Sequence, residues 1–174
     1  MIKKNKTKNF LFNDASTDDT IVIADLFANF LKFGDVLLLI GDIGSGKTFF
    51  SRRIIQSMMK NQNVLIENIP SPTFSIVQTY DLLYPVVWHL DLYRLSDSNE
   101  IIELGLDEGL GVGICLIEWP DRLGDYYPQR NISITFDELD KDDSNRRISI
   151  EFNGMDWEYL ANAITNNYYD KICW

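Results

Sequence analysis

The feature that most constrains this chain is a continuous apolar run, Val36-Leu37-Leu38-Leu39-Ile40, followed without a gap by Gly41-Asp42-Ile43-Gly44-Ser45-Gly46-Lys47-Thr48. The run suits a strand buried on both faces, as in the parallel sheets of α/β proteins. The residues after it fill the pattern G-x-x-x-x-G-K-[ST] completely. Glycines there let the backbone turn successive N–H groups onto phosphate oxygens. The lysine supplies a point charge for β- and γ-phosphates, and the threonine hydroxyl suits Mg²⁺. A helix opening at Thr48 adds the positive end of its dipole. Asp42, Ile43, Gly44, Ser45, Gly46, Lys47 and Thr48 are therefore the candidate nucleotide-binding residues, and Lys47 is also a catalytic candidate.

A phosphate site of this kind needs a carboxylate at the end of a neighbouring strand. Two further apolar runs supply one each: Val86-Val87-Trp88-His89-Leu90-Asp91 and Ile114-Cys115-Leu116-Ile117-Glu118. Both acids fall at the C-terminal edge of a strand, where α/β sheets collect their ligands. Spacing alone leaves open which acid meets metal and which orients water. His89 reads as a structural histidine and Cys115 as a small core residue. Trp119 is either a core aromatic or a ring that shapes the pocket. Tyr93 and Arg94 either face a partner or cap the sheet edge.

The rest of the chain alternates between helix and strand patterns. Residues 1–9 are polar and basic and read as a flexible arm. Ser16 or Thr17 caps a first helix, with Asp18 and Asp19 in its opening turn, an apolar stripe of Val22, Leu26 and Phe30, and a stop at Gly34. Residues 48–60 form a second helix with Phe49, Ile54, Ile55, Met58 and Met59 on its buried side. Ser71-Pro72-Thr73 is a loop, and Phe74 to Tyr80 alternates as a strand. Residues 97–111 read as a short helix followed by a loop broken by glycines. Ile132, Ile134 and Phe136 face Ile148, Ile150 and Phe152 in an antiparallel hairpin around the acidic stretch Asp137–Asn145. A helix follows from Asp156. The expected architecture is one α/β domain, a P-loop NTPase-like mixed β-sheet flanked by helices. It spans residues 10–155, between the arm at 1–9 and a C-terminal helix or tail at 156–174.

Charge narrows the partners. With 26 acidic against 16 basic residues the net charge is −10, so the chain is poorly suited to gripping a nucleic-acid backbone over a wide surface. Any role near nucleic acid would pass through a partner. No apolar run reaches the roughly 18 residues of a membrane span. No apolar stretch follows Lys3, Lys4, Lys6 and Lys8, as a secretion signal requires, so a cytoplasmic location is expected. Two cysteines and a single histidine exclude a disulfide framework and a Cys/His zinc site.

Four stretches occur together: Gly41 to Thr48, Ser71-Pro72-Thr73-Phe74, His89-Leu90-Asp91-Leu92-Tyr93-Arg94-Leu95 and Ile117-Glu118-Trp119-Pro120. In this order and spacing the chain, over about residues 12 to 152, resembles the TsaE family (formerly YjeE). These are small P-loop ATPases of bacterial tRNA threonylcarbamoyladenosine synthesis. The resemblance implies ATP and Mg²⁺ at the loop, Thr48 and Glu118 as metal ligands, and Asp91 as the acid linked with hydrolysis. It implies a switch at Ser71 and Thr73. It also implies nucleotide contacts from Thr17 and from an arginine of the last hairpin, Arg146 or Arg147, with Arg147 as the candidate. The implied partners are TsaD and TsaB, with tRNA reached only through that complex and modified at the adenosine beside its anticodon. The alternative is a small-molecule or nucleotide kinase. Such enzymes close an arginine-bearing lid over the phosphates, and no inserted segment here looks like one. A nucleotide-gated binding module without turnover is a third possibility, against which the acids at 91 and 118 argue.

Overall fold

Val36 to Leu39 are all buried, and a strand with no exposed face has to be covered from both sides and paired along both edges. The computed structural model provides that environment; it describes residues 9–96, 100–139 and 145–168. In chain order the elements are β1 (Asn9–Ala15), α1 (Thr17–Phe30), β2 (Val36–Ile40), α2 (Lys47–Asn61), β3 (Val77–Tyr80) and β4 (Val86–Asp91). There follow α3 (Glu100–Glu103), α4 (Leu106–Val112), β5 (Gly113–Glu118), a 3₁₀ segment (Pro120–Tyr126), β6 (Asn131–Glu138), β7 (Arg146–Asn153) and α5 (Glu158–Tyr168). The strands form one mixed sheet in the order β1-β7-β6-β2-β5-β4-β3. β2 runs parallel to both its neighbours, β5 and β6, and β4 runs parallel to β5. The edges are antiparallel: β3 against β4, and β7 against β6 and β1.

Period-two alternation sorts the side chains into two layers. Leu37, Leu39, Val87, Ile114 and Leu116 pack with α1, α2 and α5 on one face. Val36, Leu38, Leu90, Cys115 and Ile117 pack on the other with Ile101, Leu106 and Leu123 from α3, α4 and the 3₁₀ segment. Cys115 is a core residue, its thiol pushed up to about 12 by burial. No helix among the described residues is long and apolar enough to cross a membrane.

Several local expectations are corrected. α1 is capped by Ser16 in a capping box with Asp19, but Val22 and Phe30 are exposed. Its buried face is Thr20, Ile23, Ala24, Leu26, Phe27 and Ala28. A stripe stepping every four residues drifts by about 40° per step from a 3.6-residue helix, so its ends leave the face its centre occupies. The helix ends at Phe30, before Gly34, which turns the chain into β2 at φ +79. In α2, Phe50 takes the core position and Phe49 is exposed. The strand expected from Phe74 starts only at Val77; Phe74 itself is 82% exposed. The glycine-broken loop is instead helix α4, because the bare face at Gly109 receives the Trp88 ring; an added Cβ there would lie 2.8 Å from it. β1 is an unexpected element, although Phe10 and Phe12 alternate, are buried and pack on Phe152 and Tyr168. Residues 1–8 of the arm, 97–99, 140–144 of the acidic stretch and 169–174 lie outside the described residues.

Candidate functional site

The loop between β2 and α2 folds as it does because Gly41, Gly44 and Gly46 all have positive φ. At Gly41 no other residue fits: a Cβ would stand 2.6 Å from both the Phe136 carbonyl oxygen and the Ser45 hydroxyl. Lys47, at the start of α2, is buried and turns back into the loop. Its Nζ donates to the carbonyls of Gly41 at 2.6 Å and Asp42 at 2.7 Å and lies 4.1 Å from the centroid of the Trp119 ring. Burial holds the ammonium below its ordinary pKa, while Glu118, Asp91 and Asp42 pull it back up. Ser45 Oγ is buried with no hydrogen-bond partner among the described residues.

Sheet order settles how the two strand-end acids stand to this loop. β5 is the direct neighbour of β2, and Glu118 pairs with Leu39, so Glu118 lies at the loop's base. The Thr48 hydroxyl donates to its Oε2 at 2.8 Å, and the His89 ring nitrogen Nε2 contacts its Oε1 at 2.8 Å. Asp91 ends the next strand out. Its Oδ2 accepts the Thr73 hydroxyl at 2.5 Å and its Oδ1 accepts the Tyr93 backbone N–H at 3.1 Å. Ser71 and Thr73 hydroxyls are 2.8 Å apart, so the Ser-Pro-Thr loop is tied directly to Asp91. The tie has a backbone counterpart: Asp91 N–H donates to the carbonyl of Ile76, a β-branched residue held at φ +64. Few β-branched residues accept that conformation, and such strain gathers at sites where the backbone is over-determined.

Trp119 follows Glu118 with φ +59, another left-handed non-glycine residue. The turn carries its ring over Lys47, and Tyr93 packs against it with the rings tilted by 50° and 4.9 Å between centroids. Trp119 thus belongs to the pocket wall. The pocket, of about 170 Å³, is lined by Ile43, Gly44, Lys47, Thr48, Thr73, Asp91, Tyr93, Glu118 and Trp119. Arg94 leaves it and lies over the Phe74 ring at 4.2 Å, bracing the Ser-Pro-Thr loop from outside.

A second pocket opens on the other side of the loop, between Thr17, Thr20, Gly44, Ser45, Gly46, Phe49, Phe136 and Arg146. Thr17 is in this pocket, and the hairpin arginine that joins it is Arg146. Arg147 is exposed and does not line it, because successive residues of β7 point to opposite faces. The exposed Phe49 has its place here, at the pocket wall and not in the core. The His89–Glu118 contact is what reasoning from the sequence misses. Alternation along β4 shows only that His89 shares the face of Asp91, two residues on; its reach to Glu118 comes from the β4–β5 register.

A glycine-rich loop joining a buried central strand to a helix, with strand-end carboxylates beside it, defines a single-domain α/β protein with a P-loop NTPase-like mixed sheet. The family model described as "Threonylcarbamoyl adenosine biosynthesis protein TsaE" matches residues 14–148, and this chain belongs to that family. It is 39% identical over 137 residues to the tRNA threonylcarbamoyladenosine biosynthesis protein TsaE of Rickettsia bellii, covering 79% of this chain and 92% of the relative. The protein of the same name from Bacillus subtilis is 32% identical over 161 residues, covering 92% and 96% of the two chains. Among solved structures, Bacillus subtilis YdiB superposes with a TM-score of 0.75 at 30% identity, covering 94% of this chain and 99% of that one.

Proposed function

We propose that this member of a tRNA threonylcarbamoyladenosine biosynthesis family binds ATP with Mg²⁺ and hydrolyses it to ADP and phosphate, acting with TsaB and TsaD. The observation that carries the reading is the Thr48–Glu118 contact beside the buried Lys47. The donor set fits the metal. Mg²⁺ takes one or two protein oxygens and completes its shell with water and phosphate, and Thr48 Oγ1 and Glu118 Oε2 are two such oxygens. Ser45, buried without a partner among the described residues, and the loop amides suit phosphate oxygens. Held by Thr48 and Glu118, a bound Mg²⁺ would supply positive charge to neutralise the phosphates.

The chain's own groups have separable tasks. Lys47 exchanges its two loop carbonyls for β- and γ-phosphate oxygens. Asp91, held by Thr73 and the Tyr93 amide, keeps lone pairs free to orient a water and accept its proton. Thr17, Thr20, Phe49 and Arg146 receive the nucleoside side. tRNA is met only through the partner complex, in keeping with the net charge of −10, and the reading includes a cytoplasmic location. Phosphate release measured with and without TsaB and TsaD tests it. Slow release by the lone chain, a changed rate with both partners, and loss of both in Lys47→Ala are expected. Phosphoryl transfer to a small acceptor in place of release would favour a kinase.

A further inference from the structure

We propose that His89 is a positioning residue for Glu118: its Nε2–H holds one carboxylate oxygen so that the other stays turned toward Thr48. The inference rests on the reading of Glu118 and Thr48 as the metal-facing pair.

His89 lies on β4 two residues before Asp91 and therefore on the same face of the sheet. The parallel register pairs it with Leu116, two residues before Glu118, so it reaches Glu118 diagonally across the strands. Nε2 is 2.8 Å from Glu118 Oε1, while Glu118 Oε2 accepts the Thr48 hydroxyl at the same distance. The two side chains are 0% and 2% exposed, so water does not compete for the contact. A carboxylate oxygen only accepts, so Nε2 is the nitrogen that carries the proton. Nδ1 is buried with no hydrogen-bond partner among the described residues. His89 does not line the pocket that Glu118 and Asp91 face, so it acts through Glu118 and touches no reacting atom. A glutamate with three rotatable bonds has many aims; one bound at Oε1 by a packed ring keeps one. Groups that orient a metal ligand in this way alter metal affinity by about 10–100-fold when removed.

The test measures affinity for a non-hydrolysable ATP analogue, with Mg²⁺ and with chelator, in wild type, His89→Leu, His89→Gln and Glu118→Gln. His89→Leu should keep the metal-free affinity and lose about 10-fold of the gain that Mg²⁺ confers. His89→Gln, whose amide can donate from a similar position, should recover most of it. Equal loss in both His89 variants, equal loss with and without metal, or an undiminished gain in His89→Leu would overturn the proposal. A gain lost in Glu118→Gln but kept in His89→Leu rejects only the role of His89. No gain in wild type rejects the metal reading itself and the proposal with it. Should His89→Leu fail to fold, nitrogen NMR of the wild type decides, because the chain has a single histidine. An Nε2–H tautomer that changes in Glu118→Ala supports the proposal, and an Nδ1–H tautomer or an unresponsive ring overturns it.

Discussion

Asp91 and Glu118 are direct partners in the parallel ladder between β4 and β5. Two carboxylates therefore close neighbouring strands side by side, on the face that carries α2. They are equivalent by position along their strands, but β5 adjoins β2 and β4 does not. Glu118 is thus the acid that meets Thr48, and Asp91 the one that meets the Ser-Pro-Thr loop.

That difference predicts a split between binding and turnover. Glu118→Gln should weaken Mg²⁺-dependent nucleotide binding by roughly 10-fold or more, the 1.5–3 kcal/mol of a charged contact. Asp91→Asn should bind nearly as well and lose hydrolysis. Titrations with and without Mg²⁺, paired with phosphate release, check it; the opposite pattern exchanges the two roles.

The second pocket separates the adjacent arginines of β7. Arg146→Ala should lower nucleotide affinity by about 2–5-fold, the 0.5–1 kcal/mol of a partly exposed charge contact. Arg147→Ala should leave affinity unchanged, since its side chain stands on the other face of the strand. Isothermal titration of both variants distinguishes the two positions.

Stability should depend on pH through Asp25. Burial opposes its ionisation, but hydrogen bonds from Arg53 and Ser57 outweigh that and hold its carboxyl below 3.8. Arg53 binds it through two contacts of 2.7 Å, joining α1 to α2. A carboxyl with a lowered folded-state pKa stabilises above its unfolded value and loses that contribution as pH falls through the folded one. Asp25→Asn should therefore melt about 2–4 °C lower at neutral pH, for a contribution near 1 kcal/mol discounted for exposure. The gap should close below pH 3.8, which melting curves across pH will show.

Two glycines of α4 should respond in opposite directions to alanine. At Gly109 the new methyl would stand 2.8 Å from the Trp88 ring, and relieving that overlap costs about 1–3 kcal/mol. At Gly111 nothing lies within 4 Å, so Gly111→Ala should stabilise by up to about 1 kcal/mol through helix propensity. Urea unfolding of the pair checks both signs; a stabilised Gly109→Ala would mean that Trp88 is not seated as described.

What the sequence determined by itself was the chemistry that is local in the chain. β2, the loop and α2 are contiguous, so glycine conformation, apolar run and helix start were all legible from one segment. β4 and β5 were equally plain, because each is an apolar run, broken in β4 only by His89, whose end is marked by a carboxylate. Tertiary structure decided whatever depends on neighbours distant in sequence. Strand order put Glu118 next to Thr48, and no spacing along the chain encodes that order. Helix phase put Phe50 in the core and Phe49 at a pocket, a difference of one residue that only packing resolves. Trp88 turned a glycine-rich segment into a helix by filling the face those glycines leave bare. His89 met Glu118 because two parallel strands hold register, bringing together residues that composition alone marks only as one histidine and one of many acids.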